Sequence, residues 1–156
     1  MKILAVIILF FHLSASAQEI REMKIGELEN YIQSRTGPSV FNFWATWCGP
    51  CIEEMPWFNK ITGQHKDVEL IFVSLDSKQA FPEKIRSFVN QKKIKATFIW
   101  LNETNADVFC PKIDADWGGS IPATLFVYHK NSYRKFIESQ IPPAGLRKEL
   151  RLLSRK

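Results

Sequence analysis

Cysteine and histidine are scarce in this sequence, with three residues of each among 156. An exported scaffold held together by disulfides carries a denser and even set of cysteines, so this count argues against that class of protein. A zinc site needs four ligands. The cysteines with His65 or His129 could supply them on paper, but the chain has no second closely spaced cysteine pair. The sequence therefore predicts no metal site.

Long apolar runs are also missing. The N-terminal run at residues 3–13 is shorter than the roughly 20 apolar residues that cross a bilayer. It follows Lys2 and precedes an Ala-Ser-Ala triplet at residues 15–17, a pattern typical of a cleaved signal peptide. We therefore expect residues 1–17 to be removed and residues 18–156 to be an exported, periplasmic domain. An uncleaved anchor is the alternative.

Charge is not concentrated in one place. The formal net charge is +5, and removing Lys2, the one charge in residues 1–17, leaves 5 − 1 = +4. Basic residues are scattered apart from residues 147–156, which is typical of a solvated surface and not of a nucleic-acid-binding protein. The remaining 156 − 17 = 139 residues have the size of one domain with its own hydrophobic core.

The pair Cys48 and Cys51 lies where an apolar, strand-like run ends and a helical pattern begins. Two thiols separated by two residues at a helix start are typical of a redox pair. Cys48 would be the nucleophile, because free N–H groups and the helix dipole stabilise its thiolate. Cys51, one turn further, would resolve the mixed disulfide. Gly49 and Pro50 suit the tight turn between them.

Other interpretations of the cysteines are weaker. A purely structural disulfide at this spacing closes too small a loop to stabilise the chain much by entropy. A peroxidase would need a threonine three residues before its reactive cysteine, whereas Thr46 lies two residues before Cys48. A non-catalytic binding module would leave both cysteines without a purpose. Cys110 belongs to no motif, and it is either an inert buried thiol or a regulatory, substrate-facing one.

Hydrophobic periodicity predicts an α/β domain with a parallel βαβ unit. Residues 39–45 form a buried strand, a helix with Pro56 inside it follows, and residues 67–75 form the next strand. Residues 102–119 are predicted to be irregular because they are polar and rich in turn formers. The other predicted elements are a helix that ends at Thr36, a helix from Phe81, strands at residues 97–101, 123–128 and 132–137, and a C-terminal helix from Pro142.

The residues around the pair resemble a known family. Trp-Cys-Gly-Pro-Cys at residues 47–51 is similar to the thioredoxin signature, and Ile121-Pro122 before a strand resembles the cis-proline of that fold. Residues 42–48 are closer to the TlpA/ResA-like exported branch, and residues 74–122 resemble its central insertion. The resemblance implies a thioredoxin fold, with a central mixed sheet flanked by helices on both faces and that insertion.

The resemblance also implies roles for individual residues. Glu54, three residues after Cys51, would tune thiol protonation, because Asn42 stands where thioredoxins carry a buried acid. A solvated helix glutamate is the alternative for Glu54. Pro122, if cis, would face the cysteines and leave the backbone of Ile121 free to pair with a substrate peptide.

The implied function is reduction of disulfides in exported proteins, for instance apocytochrome c, by a monomer that a membrane thiol donor re-reduces. No cation lies between the cysteines, which favours a reducing couple. A disulfide oxidase or isomerase is the alternative direction. No cofactor is expected beyond the redox-active disulfide. Trp47 would form an exposed aromatic lip, and together with Gly49, Pro50 and Ile121 it makes up the predicted substrate-binding set.

Overall fold

Strands and helices alternate along residues 18–155, the part of the chain that the computed structural model describes, except that two strands follow each other before the last helix. The predicted signal peptide lies outside the described residues. The strands are β1 (Ile20–Met23), β2 (Ser39–Trp44), β3 (Glu69–Ser74), β4 (Thr97–Leu101), β5 (Ala123–Tyr128) and β6 (Tyr133–Ile137). The helices are α1 (Ile25–Gln33), α2 (Gly49–Thr62), α3 (Glu83–Lys92), α4 (Ala106–Ile113) and α5 (Pro143–Leu153).

The strands form one mixed sheet in the order β1-β4-β3-β2-β5-β6. β2 pairs in parallel with β3 and antiparallel with β5, so Phe43 lies between Val73 and Ala123. β4 and β1 extend the parallel half, and β6 pairs antiparallel with β5 at the far edge. Because β5 runs against β2, it begins at the edge of the sheet where β2 and β3 end.

Alternation along β2 divides the core into two layers. Val40 and Trp44 belong to the layer under α2, α3 and α5, whereas Phe41 and Phe43 belong to the layer under α1 and α4. All six residues of β2 are buried, as expected for a central strand covered on both faces. The predicted mixed sheet with helices on both faces is confirmed.

Two elements escaped the sequence prediction. The segment at residues 102–119 was expected to be irregular, but α4 lies within it, capped by the Asn105 side chain, which accepts from the Asp107 N–H at 3.0 Å. Pro111 inside this helix hid the spacing of the buried residues Phe109 and Ile113. β1 is only four residues long, and just its first residue is buried, so it carries no alternating pattern. No helix within residues 18–155 has the length and apolar character needed to cross a membrane.

Candidate redox site

The two cysteines of the predicted pair are bonded to each other. Cys48 and Cys51 form a disulfide at the start of α2, with their Cα atoms 5.3 Å apart. Cys48 is the N-cap residue of the helix and exposes 5% of its surface, whereas Cys51 in the first turn is fully buried. The structure therefore shows the pair in its oxidised state, with Cys48 the more accessible cysteine.

The N-terminus of α2 is directed at Cys48. The Cys51 N–H donates to Cys48 Sγ at 3.3 Å. Pro50, which has no N–H to leave unpaired, occupies the first turn. After reduction, a thiolate at Cys48 would receive the same N–H and the positive end of the helix dipole, both of which favour its ionisation.

Sheet topology brings a distant segment to this pair. β5 begins where β2 ends, so Ala123 lies beside Phe43. The Ile121–Pro122 peptide bond that precedes β5 is cis. The carbonyl oxygen of Ile121 lies 3.7 Å from Cys48 Sγ. A backbone polar group thus lies beside the more accessible cysteine.

Glu54 is a buried acid on α2, one turn beyond Cys51. Its side chain is fully buried, so the solvated alternative is wrong, while its effect on the thiols stays a prediction. The Asn42 amide donates to one carboxylate oxygen at 2.7 Å and the Ile141 N–H to the other at 2.9 Å. Burial raises the pKa of Glu54 to about 7, although both hydrogen bonds act to lower it. Such a carboxyl can take up and release a proton near neutral pH.

A second buried acid, Asp76, holds the turn that leads to Cys48, and sequence reasoning missed it. The Thr46 N–H and hydroxyl donate to its two carboxylate oxygens at 2.9 and 2.6 Å, and the Ser74 hydroxyl donates at 2.8 Å. The Trp100 indole N–H donates to the Asp76 carbonyl at 2.7 Å. One signal could have identified it: an acid two residues after β3 lies beside the end of β2, because parallel strands end at the same edge.

Exposed groups surround the nearly buried pair. Trp47 exposes 67% of its surface, and Gly49 and Pro50 are also exposed. The Gln140 side chain donates to the Pro50 carbonyl at 3.0 Å. Contact of a substrate with Trp47, Gly49, Pro50 and Ile121 stays a prediction.

Cys110 lies apart from the redox pair, in α4 on the other face of the sheet. It is a free thiol and buried. Burial, with smaller contributions from the charges of Glu138 and Asp107, raises the pKa of Cys110 to about 11. The thiol therefore stays protonated at neutral pH, which favours the inert interpretation. Within residues 18–155 no group of three His, Cys, Asp or Glu side chains is placed to hold a metal ion.

Comparison with known proteins gives a family and several relatives. The chain matches the AhpC/TSA family over residues 8–132. It is similar to Thiol-disulfide oxidoreductase ResA of Bacillus thuringiensis (strain Al Hakam), with 38% identity over 60 residues, which are 38% of this chain and 34% of that protein. ResA of Oceanobacillus iheyensis is 28% identical over 104 residues, or 65% of this chain and 50% of that protein. The chain thus spans about a third to a half of the length of these curated relatives.

Solved structures show the same fold. A thioredoxin-related protein from Neisseria meningitidis serogroup B matches with a TM-score of 0.65 and 28% identity, covering 80% of this chain and 91% of that one. The predicted thioredoxin fold and the resemblance to ResA-like proteins are confirmed by these matches.

Proposed function

Because the chain belongs to the AhpC/TSA family and carries a bonded cysteine pair at a helix N-terminus, we propose that it is a thiol–disulfide oxidoreductase acting on protein disulfides. The observation that carries this proposal is the position of Cys48. Its sulfur is bonded to Cys51, receives an N–H from α2, and lies 3.7 Å from the Ile121 carbonyl oxygen. A disulfide with only a structural role would need neither the helix N–H nor the backbone group beside it.

The reductive reaction starts from the dithiol. The Cys48 thiolate attacks one sulfur of a substrate disulfide, a mixed disulfide forms, and the other substrate sulfur leaves as a thiolate and takes a proton from water. Cys51 then loses its proton and attacks Cys48 Sγ, which releases the second substrate sulfur. Two electrons pass to the substrate, and the protein ends as the Cys48–Cys51 disulfide.

Glu54 is the proposed proton acceptor for Cys51. It lies three residues later on the same helix, and its pKa of about 7 allows its carboxylate to accept the proton as Cys51 attacks. The same carboxyl can return the proton when the disulfide is reduced again. Asn42 keeps the acid in place, because its amide donates to both Glu54 and the Thr124 hydroxyl within the core.

The substrate is proposed to be an extended polypeptide. Ile121 lies outside the strand pairing of β5, and its backbone is the group through which a peptide could add in strand-like fashion next to Cys48. Trp47, the residue before Cys48, supplies an exposed apolar surface next to the pair. Gly49 and Pro50 complete this surface without bulky side chains.

Reduction is the proposed direction. Gly49 and Pro50 place no cation between the cysteines, and the polar groups described beside the Cys48 sulfur are a backbone N–H and a backbone carbonyl. Fewer contacts that stabilise the thiolate make the couple more reducing. When it is ionised, the buried carboxyl of Glu54 also disfavours a thiolate nearby, which makes the couple more reducing.

The protein is proposed to act outside the cytoplasm. Residues 1–17 carry the pattern of a signal peptide, which would deliver the domain to the periplasm, where disulfides form. The proposed partners are disulfide-containing exported proteins, such as apocytochrome c, and a membrane thiol donor that reduces the pair again. The protein is proposed to act as a monomer.

The reduction potential of the pair tests this proposal. Equilibration with glutathione buffers should give a value near −270 mV for a reductase, whereas a value near −120 mV indicates an oxidase. In parallel, the dithiothreitol-reduced protein should reduce the disulfides of a polypeptide such as insulin in a stoichiometric reaction. A pair that exchanges with neither glutathione nor the polypeptide would favour a binding module.

A further inference from the structure

The loop that leads to Ile121 is held by a carboxylate from another strand. Glu138 follows the last residue of β6 directly. Its two oxygens accept hydrogen bonds from the Ser120 N–H at 2.8 Å and the Gly118 N–H at 3.0 Å. One acidic side chain thus binds two backbone groups of the three residues that precede Ile121.

The two glycines of this loop fit that carboxylate. A Cβ atom at position 118 would lie 3.3 Å from a Glu138 oxygen, closer than a side chain usually allows. Gly119 has φ of +93°, in the region that favours glycine. Gly118 therefore admits the acid, and Gly119 allows the turn that directs the N–H groups on both sides of it towards the acid.

The inner side of the same loop is packed. The Trp117 indole N–H donates to the Ser120 carbonyl at 3.0 Å, and its ring lies against Phe43 and Phe136, with centroids 4.7 and 5.4 Å apart. The aromatic layer holds one side of the loop and the carboxylate holds the other.

We propose that Glu138 is a positioning residue for disulfide exchange: its carboxylate holds residues 118–120 so that the Ile121 backbone meets a polypeptide substrate beside Cys48. This inference rests on the proposed function. Hydrogen bonds to an ionised acceptor are about twice as strong as neutral ones. The Gly118 N–H is the largest influence on the pKa of Glu138, which is lowered, so the acid is ionised at neutral pH.

Neighbouring residues show why this acid is well placed. The segment at residues 138–141 also supplies the Gln140 amide, which donates to the Pro50 carbonyl, and the Ile141 N–H, which donates to Glu54. The segment thus contacts the turn between the cysteines, the buried Glu54 and, through Glu138, the loop at residues 118–120. These contacts hold the three parts of the site in fixed positions relative to one another.

Glu138→Gln tests the proposal, because the amide keeps the shape but places an N–H₂ group against one of the two N–H donors. We expect kcat/KM for a polypeptide disulfide to fall about tenfold, mainly through KM, from the loss of charge-assisted hydrogen bonds. Reduction of a small disulfide, glutathione disulfide, and the reduction potential of the pair should not change. Glu19→Gln, an exposed acid directly before β1 at the far edge of the sheet, is the control with the same charge change and should match the wild type.

Hydrogen exchange separates this inference from the proposed function. In Glu138→Gln the amides of Gly118 and Ser120 should exchange at least tenfold faster than in the wild type. Unchanged exchange, or equal losses with both disulfides, would overturn the positioning role. If the wild-type protein reduced neither disulfide, the proposed function would fail, and the exchange rates would still decide whether Glu138 holds the loop. Glu138→Ala is a second variant, in which the carboxylate is removed and no amide N–H₂ group faces the backbone N–H donors.

Discussion

The Asn42 amide donates to the Glu54 carboxylate at 2.7 Å, and both side chains are fully buried. This pair puts a titrating acid within the core, one helical turn from Cys51. Its pKa of about 7 lies well above its ordinary value of 4.5, because burial disfavours the charged form. The effect of this raised pKa on the stability of the fold and its effect on thiol exchange can be measured separately.

Glu54→Gln should remove a pH dependence of stability. Between about pH 4.5 and 7 the folded protein keeps a proton that the unfolded chain has lost, so the free energy of unfolding falls as pH rises through this window. The fall is on the order of 3 kcal/mol, from about 2.5 pH units at about 1.4 kcal/mol each. Urea denaturation of the disulfide-bonded protein at several pH values measures it. Glu53→Gln should keep the wild-type slope, and equal slopes for wild type and Glu54→Gln would contradict the raised pKa.

Glu54→Gln should also slow the resolving step. Without a carboxylate to accept the Cys51 proton, the decay of the mixed disulfide should slow by about a hundredfold at pH 7 to 8, in the usual range for general-base catalysis. Stopped-flow measurement of substrate thiol release after rapid mixing reports this step. An unchanged rate would leave Glu54 without a role in proton transfer.

The two cysteines should differ when each is replaced. Cys48→Ser should abolish reduction of a polypeptide disulfide, because the thiol at the helix N-terminus is lost. Cys51→Ala should accumulate mixed disulfides through Cys48, because no thiol remains to resolve them. Non-reducing electrophoresis after incubation with the substrate detects these adducts. Adducts that form with Cys48→Ser but not with Cys51→Ala would reverse the assignment.

Asp76→Asn should loosen the turn before Cys48. The Thr46 N–H and the Ser74 hydroxyl donate to one carboxylate oxygen and the Thr46 hydroxyl donates to the other. An amide keeps only one of these two acceptors, so at least one donor of this half-buried turn loses its partner, at a cost of about 1–3 kcal/mol. Denaturant midpoints measure the loss of stability. Thr46→Ser keeps the hydroxyl and should stay close to the wild type. A midpoint for Asp76→Asn equal to that of the wild type would show that the turn does not depend on this acid.

Cys110 should resist alkylation in the folded protein. Its pKa of about 11 and its burial leave little thiolate at pH 8. Iodoacetamide followed by mass spectrometry should therefore modify Cys110 only after denaturation, whereas the reduced Cys48 should react in the native state. Rapid native modification of Cys110 would instead favour the regulatory interpretation.

Local patterns in the sequence are sufficient to predict the elements whose buried residues recur at regular spacing. β2 and α5 were predicted because their apolar residues are continuous or recur at helical spacing. α4 was not, because Pro111 and the short length of the helix hid its periodicity. β1 is an edge strand, and its pairing with β4 depends on residues about 80 positions away.

The residues of the site also differ in whether the sequence predicts them. Cys48 and Cys51 could be predicted because their chemistry depends on a spacing of three residues. Asp76 and Glu138 were missed because neither belongs to a local motif: Asp76 contacts a turn 30 positions away, and Glu138 contacts a loop 18 to 20 positions away. The predicted pairing of β2 with β3 offered a signal for Asp76, whereas the contacts of Glu138 depend on the register of β5 against β6, which the sequence pattern does not specify.

The edge strands have a consequence for where other chains can attach. β1 exposes Arg21 and Glu22, and β6 exposes Arg134 and Lys135. Charged side chains on outer strands discourage a foreign strand from extending the sheet, which guards against aggregation. Under the proposed function, a polypeptide substrate with unpaired strands would thereby be discouraged at both outer edges and could add at the backbone before Pro122, beside the sulfur proposed to react with it.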